Sequence, residues 1–70
     1  MDFESAVALS PLVEKTYPGV VVVGVRRMSF SRADSWALDL LNPKTGRMIT
    51  LDEKDDWERR LTEVMPEISA

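Results

Sequence analysis

The side chains able to do chemistry fall into two groups. The acids of "LDEKDDWE" (residues 51–58) sit close enough together to raise the question of a metal site, and the arginines Arg26, Arg27, Arg32 and Arg47 raise that of an anionic partner. Hard cations want several oxygen ligands, and the calcium-loop template takes them from positions 1, 3 and 5. Here those positions hold Asp52, Lys54 and Asp56, and a lysine in the middle defeats the template. Capping and helix-dipole compensation account for the same acids without a metal. The chain has no histidine and no cysteine. The commonest general base, the usual nucleophile–base pairs and the usual zinc and iron ligands are therefore missing. Its three glycines stand apart at 19, 24 and 46, so there is no phosphate-cradling loop. The expectation is a protein that is not an enzyme, with no cofactor, no metal and no catalytic residues.

The arginines depend on where the chain puts them. Net charge is −3, which favours solubility and gives no overall pull toward nucleic acid or anionic lipid. The charge is uneven. Residues 1–19 carry Asp2, Glu4 and Glu14 against Lys15. Residues 20–51 carry Arg26, Arg27, Arg32, Lys44 and Arg47 against Asp34 and Asp39. Residues 52–70 carry seven acids against Lys54, Arg59 and Arg60. A mildly basic middle lies between acidic ends, as when oppositely charged elements pack side by side.

Five elements must position these residues. "FESAVALSPLVEKT" (3–16) shows apolar residues at helical spacing, interrupted by Pro11. Two solutions satisfy it: one helix bent at 10–11, or a short turn followed by a new helix with Ser10 as N-cap and Pro11 in its first position. "YPG" ends the segment. Residues 20–31 open with "VVVVGVRR" and read as a strand, apolar on both faces at first and then alternating. Gly24 in its middle marks a bulge or a close approach. After the polar "SRADS", "WALDLLN" (36–42) is a second strand, with Trp36, Leu38 and Leu40 on one face and Ala37, Asp39 and Leu41 on the other. "NPKTG" (42–46) reads as a hairpin loop, with Gly46 in the left-handed conformation. "RMITLD" (47–52) is a third strand. "DEKDDWERRLTEVM" (52–65) predicts a helix with Asp52 as N-cap, Asp55–Arg59 and Asp56–Arg60 as i, i+4 pairs, and an apolar face of Trp57, Leu61, Val64 and Met65. Pro66 stops it, and residues 66–70 read as a loose tail.

The expected fold class is therefore α+β with order α-β-β-β-α: a single small domain over residues 1–70, with a three-stranded antiparallel meander and both helices packed on one face. Both tryptophans have places in the core, and Trp36 also suits a partner-binding role, since exposed tryptophans anchor interfaces.

The element order resembles that of the double-stranded-RNA-binding domain family, which implies contacts to phosphates and 2′-hydroxyls. The chain departs from that family where a lysine cluster opens the second helix, since "DEKDDWE" stands there and acids repel a phosphate backbone. Nucleic-acid binding through a basic sheet-edge patch is thus the alternative. The leading expectation is a small stand-alone protein-binding module, an inhibitor or adaptor that occupies a surface of another protein, as immunity proteins and phage anti-defence or anti-CRISPR proteins do. Its expected contact residues are Arg26, Arg27, Arg32, Arg47 and Trp36. A valine-rich edge strand invites pairing, so a homodimer through a sheet edge or face is also expected. No signal peptide or membrane-length apolar run is present, which with the missing cysteines makes the cytoplasm the expected location and excludes a membrane partner.

Overall fold

A computed structural model describes residues 1–28 and 35–69, with the backbone alone at 69. Helix α1, Phe3–Thr16, begins at Asp2, whose extended backbone leaves its carboxylate free to accept the Ser5 N–H at 2.7 Å. Ala6, Leu9 and Val13, at i, i+3 and i+7, form its buried face. The helix runs unbroken through Pro11. Of the two solutions open to the sequence, the single helix wins because both sides of Pro11 face one core: a break at 10–11 would rotate Leu9 and Val13 onto different faces. Thr16 ends the helix, and the Tyr17 and Val20 amides close the "YPG" turn by donating to Val13 and Tyr17 carbonyls at 2.9 Å.

Strands β1 (Val21–Met28), β2 (Ser35–Asn42) and β3 (Arg47–Leu51) form an antiparallel sheet in the order β1-β2-β3. The α-β-β-β-α order and α+β class are those expected. The hairpin turn between β2 and β3 closes through Asn42, whose carbonyl accepts from Thr45 and Gly46 and whose side-chain oxygen accepts the Lys44 N–H at 3.1 Å. Gly46 takes φ 75°, the left-handed conformation that glycine enters without a Cβ clash. Between β1 and β2 the register slips by one residue: Val22 pairs with Leu40 and Gly24 with Asp39, leaving Val23 as the extra residue of a bulge. The bulge resets the alternation, so Val22 and Val25 both face the helices while Gly24 and Arg26 face the other way.

The helices pack on one face of the sheet. Leu38, Leu40 and Leu51 join Ala6, Leu9 and Val13 of α1 and Trp57, Leu61 and Met65 in one core cluster. Each fully buried leucine stabilises the fold by roughly 1.5–3 kcal/mol. Met1 ties the sheet's far end: its carbonyl accepts the Trp36 N–H at 2.7 Å, and its amino group donates to the Asp52 carbonyl at 2.8 Å.

Helix α2 is shorter than the sequence predicts, spanning Trp57–Val64. Asp52 is not its N-cap; its carbonyl is held at the end of the sheet by Met1, and residues 52–56 carry the chain out of β3. The N-cap position falls to Asp56, which sits at φ 54°, ψ 28° and makes no side-chain capping bond. The later start also shifts the ion pairs. Arg59 meets Asp56 at 3.7 Å and Glu63 at 3.6 Å, and Arg60 approaches Asp52 at 3.9 Å. The apolar face is the expected one, with Trp57 and Leu61 buried and the Tyr17 ring edge-on to Trp57 at 6.1 Å. Beyond Pro66 the chain forms a 3-10 turn, Pro66–Ser69, that packs Ile68 against the core where a loose tail was expected. Among the described residues no helix is long and apolar enough to cross a membrane.

Candidate binding face

One face of the sheet carries both helices; among the described residues the other is open at its Val21–Leu41–Met48 end, while Ala37, paired with Arg26 farther along the same face, is fully buried. Strand register decides which side chains reach it, since residues paired across an antiparallel sheet share a face. Val21, Leu41 and Met48 form one row across all three strands, and Gly24, Asp39 and Thr50 the next. The first row is apolar, with Val21 45% and Met48 57% exposed at its ends and Leu41 half-buried between them. Val23, pushed out by the bulge, is 56% exposed beside it.

A polar bar closes off this apolar end. Arg26 Nε lies 3.1 Å from Asp39 Oδ2, and its Nη2 donates to Asp39 Oδ1 at 3.2 Å and to Thr50 Oγ1 at 3.0 Å. The Thr50 hydroxyl in turn donates to Asp39 Oδ1 at 2.9 Å. Three side chains from three strands thus satisfy one another in the middle of the face, and charge cancels there. Net desolvation cost on covering this bar is small compared with that of an unpaired arginine.

The residues singled out from sequence do not come together. Arg26 is on the open face, in the polar bar. Arg27 pairs in register with Trp36 on the helix-bearing face. Arg47 pairs with Asn42 beside the hairpin turn, five β2 positions from the Arg26–Ala37 pair, about 17 Å along the sheet. Arg32 and residues 29–31 of the expected first strand lie outside the described residues. Trp36 is half-buried, with the Phe3 ring edge-on at 4.7 Å. What sequence reasoning missed is the row Val21–Leu41–Met48. The turn "NPKTG" carried the signal for half of it, because pairing outward from that turn sets Leu41 opposite Met48. The pairing of Val21 with Leu41 depends on the bulge.

A cleft of about 320 Å³ between α1 and the loop before α2 is lined by Leu9, Leu12 and Trp57, with exposed Lys54 and Asp55 among its charged residues. Among the described residues, no group of three or more acidic side chains is placed to hold a metal ion. No protein-family model, curated protein or solved structure matches this chain.

Proposed function

We propose that this protein is a small protein-binding module, an inhibitor or adaptor that acts by covering a surface of a partner protein with the open face of its sheet. The observation that carries this reading is the exposed apolar row Val21–Leu41–Met48 lying beside a neutralised polar bar. Protein interfaces have this makeup: an apolar centre, few net charges in it, and polar groups that are already paired. Immunity proteins and phage anti-defence proteins are the kind of protein meant, working in the cytoplasm without catalysis.

The distribution of cations favours a protein partner over nucleic acid. A phosphate backbone is bound by cations set along one surface. Here Arg26 is engaged by Asp39, Arg26 and Arg27 point to opposite faces, Arg47 is at the far end, and exposed Asp55, Asp56 and Glu58 surround the start of α2.

The test is a paired affinity capture with wild type and Met48→Lys, both checked for the same circular dichroism. The reading expects a protein that wild type retains and the variant loses. Identical recovery by both, or salt-sensitive binding of DNA or RNA in place of protein, would overturn it.

A further inference from the structure

We propose that the open face also receives a second copy of this chain, in a symmetric dimer whose two-fold axis runs along β2. This rests on the reading of that face as a protein-binding surface, and it names one occupant.

Charge selects the face. The chain is acidic overall, and its acids concentrate in residues 1–19 and 52–70, which build the helices and the loops around them. Copies that met through those surfaces would bring acid to acid. The described charges on the open face are Arg26 and Asp39, which cancel. Two open faces therefore meet without net charge, and where the axis sets Asp39 opposite Asp39 of the second copy each carboxylate is held by its own Arg26.

Shape selects the symmetry. A half-turn about an axis along β2 exchanges the two edge strands and returns β2 to itself. Leu41 then meets Leu41 of the second copy, and Val21 on β1 meets Met48 of the second copy from β3. Valine is short and methionine long, so each exchanged pair fills about the depth of two leucines. The same rotation sets Gly24, with no side chain and nothing within 4 Å of its Cβ position, opposite Thr50 of the other copy. Unequal heights on the two edge strands become complementary under this operation, and sheets packed face to face interdigitate in this way.

Area sets the strength. Three strands about 4.8 Å apart, two of eight residues and one of five, make a face of at most about 14 by 26 Å. That falls below the roughly 800 Å² per partner of a standard stable interface, so the dimer is weak and concentration-dependent. A heterologous partner that takes the same face displaces the second copy.

The experiment is a sedimentation-equilibrium series on the full chain at rising concentration. The expected mass climbs from 7.9 kDa toward twice that value. Val21→Glu alone and Met48→Lys alone each stay monomeric, while an equimolar mixture of the two regains a dimer, because the new acid of one chain meets the new amine of the other. Wild type that stays monomeric to about 1 mM overturns the proposal. So does a dimer that either single variant leaves unchanged, and so does a mixture that stays monomeric. A monomeric wild type whose captured partner is still lost with Met48→Lys ends the dimer and leaves the protein-binding reading standing. A dimer with the expected variant behaviour, but identical capture by wild type and Met48→Lys, supports the dimer and removes the heterologous partner.

Discussion

Arg26 reaches diagonally across the open face to Asp39, two positions along β2 from its register partner Ala37, and grips both carboxylate oxygens at 3.1 and 3.2 Å. The diagonal neighbour on an antiparallel pair is within reach of a long side chain. The contact therefore depends on register, and the register depends on the bulge at Val23.

Exposure limits what this pair is worth. The Arg26 side chain is 54% exposed, so solvent screens the attraction, and Arg26→Ala should cost less than about 1 kcal/mol. Asp39→Ala should cost a similar amount, and the double variant less than the sum, because one contact is removed twice. A urea-denaturation double-mutant cycle measures this; a loss of several kcal/mol for either single change would contradict it.

Met48→Lys separates binding from folding. The side chain is 57% exposed and lies outside the core cluster, so stability should change by no more than about 0.5 kcal/mol. Binding through the open face should be lost. A large drop in the urea midpoint would show that the row holds the fold together instead.

Pro11 sits inside α1, where it removes the amide that would otherwise reach the Val7 carbonyl. Pro11→Ala restores that hydrogen bond at an exposed site. It also loosens the unfolded chain, which offsets part of the gain. The expected net effect is stabilisation by about 2 kcal/mol, read as a raised thermal midpoint.

Asp56 occupies the left-handed region at φ 54° and leaves its capping role unfilled. Glycine adopts that conformation without a Cβ clash. Asp56→Gly should exceed Asp56→Ala in stability by about 1 kcal/mol, measured on the two variants side by side. Equal stability would mean that the turn does not hold this conformation in solution.

Asp2 sets a pH dependence. The Ser5 side-chain and backbone hydrogen bonds hold its carboxyl below the ordinary value of 3.8. A depressed folded-state value means the contribution is fully present well above 3.8 and is lost as pH falls from there through the folded-state value. Asp2→Asn keeps a capping oxygen that does not titrate. Thermal midpoints recorded between neutral and acidic pH should therefore fall less steeply for that variant than for wild type.

Much of the fold was legible because periodicity reports burial. Trp57, Leu61 and Met65 share a helical face, and "NPKTG" carries the residues that a tight turn demands. The start of α2 was not legible. Acids at 52–56 suit a helix N-terminus and an exit loop equally well, and the choice fell to the backbone, which Met1 holds at Asp52. At the candidate face, strand alternation alone separates Arg26 from Arg27. Nothing local says that Arg26 meets Asp39, because that contact joins residues thirteen apart through register.

Taken by itself, the sequence determined the element types, their order, the hairpin turn and the absence of histidine and cysteine chemistry. Each of these follows from residue identity or from spacing within one segment. The tertiary structure decided which way the faces point. A single extra residue at Val23 resets the alternation along β1, so Val22 and Val25 line the core while Gly24 and Arg26 turn outward. It also brought Val21, Leu41 and Met48 into one row, since pairing across three strands, not nearness in the chain, sets what a sheet presents to solvent.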